Sequence, residues 1–175
     1  RYDDVVDFIH EVVASFAEHA PRDHALVLKH HPMDRPFRDY TDLFDELREK
    51  HGLAGRLFYI HDLHLPTLLK HARGCVTINS TVGLSAIHHR TPTKVMGNAV
   101  YDMRGMTHQG SLESMWHAPE PVDVETYHAY RWWLLQHNQA NGNIMTKLAG
   151  LTNPTGVDWR PATGSPSQPG QSNIE

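Results

Sequence analysis

The chain has a single cysteine, Cys75, in 175 residues, which rules out an internal disulfide and fits a reducing compartment such as the cytoplasm. It has no apolar run long enough to cross a bilayer, so any membrane contact is expected to be peripheral or made through residues outside it. Lys and Arg number 16 against 20 Asp and Glu, a net charge of -4 with histidine neutral, and nowhere do they form a basic run that could follow a nucleic-acid backbone. Nucleic acid is not expected as the main partner. No Ser-His-Asp spacing, Walker phosphate loop or GxGxxG fingerprint occurs. No initiator methionine, signal peptide or transit peptide precedes the amphipathic start with Val5, Ile9, Val12, Val13 and Phe16, so the numbering is expected to begin inside a longer protein.

What the chain does contain is an alternation of helical and strand-like segments. The first helix runs from Arg1 to about Ala20 and stops before Pro21. His24 to Leu28 (HALVL) reads as a strand, Thr41 to Lys50 as a helix capped by Thr41 or Asp42 with Gly52 beyond its end, and Arg56 to Ile60 (RLFYI) as a second strand. Leu65 to Ala72 is a short helix with Pro66 in its first turn, and Gly74 to Gly83 (GCVTINSTVG) is a strand leading through a turn into a helix that ends near His89. Thr93 to Met96 is a further short strand, Ser111 to Trp116 a helical turn, and Val124 to about Asn138 a longer aromatic helix. Its neighbours Trp132 and Trp133 point to different sides, so at least one needs a second apolar partner or stays exposed. From Thr152 the composition turns to Pro, Gly, Ser, Thr, Gln and Asn. The expected organisation is a domain over residues 1–151 and a disordered tail over 152–175. The class is α/β, a Rossmann-like parallel sheet of at least four strands with helices on both faces.

In such a sheet, ligands bind outside the carboxyl ends of the strands. The stretch Asn79, Ser80, Thr81 and Gly83 stands at such an end. It reads either as an anion site, with small hydroxyl residues and unpaired N–H groups at a helix start, or simply as a well-capped core helix. His31, held extended by Pro32 after the first strand, can donate to a phosphate or a leaving group, or be an ordinary turn histidine. Lys29 either adds charge there or is solvated. Gln109 and Gly110 offer an amide and close backbone approach, or form a plain surface loop. Asp62 and Asp102 lie at the same edge and read as structural. The 15 histidines, among them His30, His61, His64, His88, His89, His108 and His117, match no recognised metal spacing and read mostly as surface or capping residues. No metal is expected.

The segments KHHPMDR, INSTVGLSAIHHRTPTKVMGNAVYDMRGMTHQGSLESMW and QHNQANGNI resemble the bacterial capsular polysaccharide synthesis proteins, the β-Kdo transferases, over roughly His24 to Ile144. The resemblance implies the C-terminal, nucleotide-holding half of a retaining GT-B glycosyltransferase that moves Kdo from CMP-Kdo to a lipid-linked saccharide acceptor. His31 and Pro32 then correspond to the family's HP pair, with His31 the catalytic contact to the departing phosphate. Ser80 and Thr81, flanked by Asn79 and Gly83, correspond to the phosphate-binding helix start, and Lys29, Gln109 and Gly110 complete the donor site. The acidic residues for the sugar chemistry are expected from an N-terminal half that no stretch here resembles. Donor CMP-Kdo needs no further cofactor, and the expected setting is the cytoplasm, peripheral to the inner membrane beside other capsule assembly proteins. Two other readings stay open: a non-catalytic capsule assembly or export component, and another GT-B transferase or a sugar-nucleotide epimerase.

Overall fold

Apolar residues recur in the first helix at one-turn spacing, and that stripe founds the core. The computed structural model describes Tyr2 and residues 4–30 and 38–137. The chain divides into two compact units, Arg1–His128 and Ala129–Glu175. His31, Pro32 and the expected 152–175 tail lie outside the described residues.

Helix α1 (Val5–His19) is capped by Asp4, whose carboxylate accepts from the Val6 N–H, and it ends at Ala20, just before Pro21. It therefore starts at Val5, the first residue of the apolar pattern, rather than at Arg1 as expected. Its Ile9, Val13 and Phe16 are buried with Tyr40, Phe44, Leu47, Leu53 and Leu57, as expected when side chains at i, i+4 and i+7 share a face. Helix α2 (Thr41–His51) brings Phe44 and Leu47 to that cluster. Its start corrects the expected cap: neither Thr41 nor Asp42 caps it, and the carboxylate of Asp39 instead accepts from both the Thr41 N–H and the Thr41 hydroxyl, at 2.9 and 2.6 Å. These bonds hold the Asp39 carboxyl below the usual carboxylate range. Its end is as expected, with Gly52 in the left-handed region at φ 63° and the Leu53 N–H returning to the Arg48 carbonyl.

Strands β1 (Leu26–Lys29) and β2 (Leu57–Ile60) pair in parallel, Leu26 opposite Leu57 and Val27 opposite Phe58. Alternation sends Leu26, Leu28, Leu57 and Tyr59 into the core and leaves Val27 and Phe58 exposed. Strands β3 (Cys75–Thr77) and β4 (Thr93–Val95) form a second parallel pair. The four strands are thus parallel as expected but, among the described residues, their ladders join them as two pairs rather than one sheet of four. Helices lie on both sides of them. Helix α3 (Leu65–His71) links the two pairs, α4 (Val82–His88) connects β3 to β4, and α5 (Leu112–His117) follows β4. Helix α5 is tied to α1 by Trp116, whose indole N–H donates to Ser15 Oγ at 2.9 Å and whose ring meets Phe16 edge-on at 5.4 Å. Met96 and Leu112 then pack with Val12 in a second cluster that also touches Leu26 and Val76.

Helix α6 (Val124–His137) is capped by Asp123, which accepts from the Glu125 N–H at 3.0 Å. Its residues Trp132 and Trp133 are both exposed, and Trp133 stacks on His137 at 4.8 Å.

Candidate functional site at the carboxyl ends of β3 and β4

The pairing of β3 with β4 continues past the strand ends: the Met96 N–H donates to the Thr77 carbonyl and the Gly97 N–H to the Ile78 carbonyl, each at 2.8 Å. This holds the segments that leave the two strands side by side. These segments, with Tyr2, line a groove of about 360 Å³ formed by Tyr2, Ile78, Asn79, Met96, Gly97 and Asn98. It lies where ligands enter α/β sheets. A side chain at position 97 would place its Cβ 2.8 Å from Ile78 Cγ2, so glycine is what lets the two segments approach so closely.

The 79–83 turn is built from the inside. Ser80 N–H donates to Thr77 Oγ1 at 3.3 Å, and Ser80 Oγ accepts from the Val82 N–H at 3.2 Å. Ser80 is therefore the residue that caps α4; Thr81 occupies the cap position without a side-chain bond. The Gly83 N–H returns to the Ser80 carbonyl at 2.9 Å, and that carbonyl also accepts from the Tyr101 hydroxyl. Gly83 is buried under the Tyr101 ring, and a Cβ there would come within 2.7 Å of Tyr101 Cζ. Its place in the site is thus to seat Tyr101, which holds the turn. Asn79, Ser80 and Thr81 are exposed.

Gln109 and Gly110 are part of a local network. The Gln109 amide donates to Thr107 Oγ1 at 2.8 Å and to Asp102 Oδ1 at 3.3 Å, and its backbone N–H donates to Glu120 Oε2 at 2.8 Å. Asp102 also accepts from Thr107 Oγ1 at 2.6 Å, the structural role expected of it. The Gly110 carbonyl accepts from Lys94 Nζ at 2.6 Å. Behind this loop His108 is 3% exposed. Its Nδ1 accepts from the Glu120 N–H at 3.2 Å, so the proton sits on Nε2, which reaches the Ser111 carbonyl at 3.1 Å and Ser114 Oγ at 2.8 Å. A Ser114–His108–Glu120 sequence of contacts superficially resembles a hydrolytic triad, but with the proton on Nε2 the imidazole donates toward Ser114 and is not placed to take its proton.

At the end of β1, Lys29 is half-buried and His30 is 2% exposed. The His30 Nδ1 is hydrogen-bonded to the Tyr59 hydroxyl, and its ring lies 5.5 Å from Tyr40 and 5.3 Å from His61. His30 and His108 are exceptions, among the described residues, to the reading of most histidines as surface or capping residues: composition counts them, but only strand register and loop packing bury them. Asn98 was missed, and the signal for it was available, since it follows Gly97 at the end of a strand. Cys75 takes no part in the groove, and burial pushes its thiol up to about 11. Among the described residues no group of three or more His, Cys, Asp or Glu gathers as a metal site, and no helix is long and apolar enough to cross a membrane.

The capsule polysaccharide biosynthesis protein profile matches residues 1–144. The chain belongs to that family. It is 49% identical over 140 residues to the capsule polysaccharide export protein KpsS of Escherichia coli, covering 80% of this chain and 36% of KpsS. It is 48% identical over 145 residues to the capsule polysaccharide modification protein LipB of Neisseria meningitidis, covering 82% of this chain and 35% of LipB. The capsule-family chain thus spans about a third of the length of these relatives. No solved structure gives a significant match.

Proposed function

We propose that this chain is the CMP-Kdo-binding part of a β-Kdo glycosyltransferase that builds the lipid-linked Kdo linker of capsular polysaccharide. The observation that carries the reading is the groove at the carboxyl ends of β3 and β4, beside the exposed Asn79–Thr81 turn, in a chain of the capsule biosynthesis family. CMP leaves as Kdo is transferred, so a phosphate gains charge along the reaction. Donors aimed at it speed departure because they bind the transition state better than the ground state. In this reading Ser80 and Thr81 receive the phosphate, and His31, with Lys29 and Pro32, takes the role that the family's HP pair implies for it. The acceptor is a lipid-linked saccharide, and the work is done at the cytoplasmic face of the inner membrane. The remainder of the full-length protein supplies the carboxylates, so the chain alone binds donor without transferring it.

Titration with CMP, UMP, UDP and ADP tests the reading: CMP binding alone supports it, and preference for UDP contradicts it in favour of another transferase or an epimerase. His31→Ala should weaken CMP by about 1 to 3 kcal/mol, the range of a hydrogen bond to a charged group, and leave cytidine unchanged. The printed name of the Escherichia coli relative, an export protein, favours a second reading as a non-catalytic assembly or export component. Under that reading none of the four nucleotides binds.

A further inference from the structure

Among the described residues the groove lining consists of two carboxamides, a phenol, two apolar side chains and a glycine, all uncharged. A phosphate monoester seated there would lose water without gaining a cation, at a cost that buried anions avoid by pairing. The carboxylate of a sugar acid meets the same objection. A nucleobase does not: it is neutral and flat, with apolar faces for Ile78 and Met96 to cover and hydrogen-bonding edges for amides to read.

The two amides are available for such reading. Asn79 and Asn98 are both exposed, and no hydrogen bond among the described residues engages either side chain, whereas Gln109, the other amide expected in the site, is bound to Thr107 and Asp102. Each carboxamide offers two donors and one acceptor group, the complement of a cytosine edge with its amino donor and its ring and carbonyl acceptors. Asn79 follows β3 and Asn98 follows β4, so the two amides reach the groove from two separate segments of its lining. The volume of about 360 Å³ falls within the range of pockets that bury small ligands. Asn79 directly precedes Ser80, which sets the base next to the exposed turn.

We infer that this groove is the nucleobase subsite of the donor, with the amides of Asn79 and Asn98 reading the base and the phosphate lying outside it over Ser80 and Thr81. The inference rests on the donor-binding reading and adds the division of that donor between an uncharged groove and a neighbouring turn. Because the contacts go to the neutral part of the ligand, substitutions in the groove act on nucleoside and nucleotide alike.

The test uses the full 175-residue chain, titrated with CMP, cytidine, UMP and uridine by NMR. Asn98→Ala should weaken CMP and cytidine by the same factor, about three- to tenfold for one neutral hydrogen bond, and Asn79→Ala should do likewise. Both residues are exposed, so thermal unfolding should be unchanged. Loss of CMP affinity with cytidine unaffected would overturn the inference by placing the phosphate in the groove, and unchanged affinity for both would overturn it by leaving the groove empty. Binding of uridine and UMP in place of the cytidine pair, with the same sensitivity at Asn98, would contradict the CMP-donor reading while upholding a nucleobase subsite. A wild-type chain that binds none of the four contradicts both.

Discussion

Gly83 and Tyr101 behave as one part, because the ring occupies the space that any larger side chain at position 83 would need. Gly83→Ala should therefore destabilise the chain by about 1 to 3 kcal/mol, the usual cost of overpacking. The midpoint of urea unfolding should fall, and the loss should shrink in a Tyr101→Ala background where the collision is gone; equal losses in both backgrounds would locate the strain elsewhere. A second expectation follows from Cys75, whose thiol burial pushes up to about 11. Nucleophilic attack needs the thiolate, so alkylation of the folded chain should be slow at pH 8 and accelerate only as pH rises toward that value, while the unfolded chain should react at the ordinary rate. At this scale the sequence was partly legible. The Asn79–Gly83 stretch was recognisable from its small hydroxyl residues and glycine, but that Ser80 rather than Thr81 accepts the Val82 N–H depends on backbone angles no pattern reveals. Likewise His30 and His108 could not be told from exposed histidines, because their burial is decided by residues distant in sequence.

The helices and strands follow from periodicity almost everywhere. The 3.6-residue spacing of Ile9, Val12, Val13 and Phe16 predicts α1, and the β-prone runs before His30 and His61 predict β1 and β2. What periodicity does not carry is which strands share a ladder, since that depends on the path of the chain between them, and here the ladders join β1 to β2 and β3 to β4. The contact between α1 and α5 was equally invisible: it depends on Trp116 meeting Phe16 and Ser15 across 101 residues of chain. Phe16 joins that contact to the main core and also lies 4.9 Å below the Arg56 guanidinium. Phe16→Ala should cost about 3 to 5 kcal/mol in unfolding free energy, with loss of the tryptophan fluorescence signature of Trp116 packing; a cost under about 1 kcal/mol would show that α1 is not the foundation described here.

For the molecule as a whole, parallel strands with helices on both sides place two strand ends, and the segments after them, at a groove lined by the apolar Ile78 and Met96 and the amides of Asn79 and Asn98. The α/β class was legible, because alternating strands and helices leave few other topologies open. Family membership connects the chain to capsule polysaccharide biosynthesis, and the donor reading proposes CMP-Kdo as the ligand at those strand ends. The most direct test is to map amide NMR shifts of the chain during titration with CMP. The account predicts saturable shifts concentrated at residues 78–83 and 96–98, with little change around Val27 and Phe58 on the exposed face of the first strand pair. No saturable shift, or shifts centred on that outer face, would contradict it.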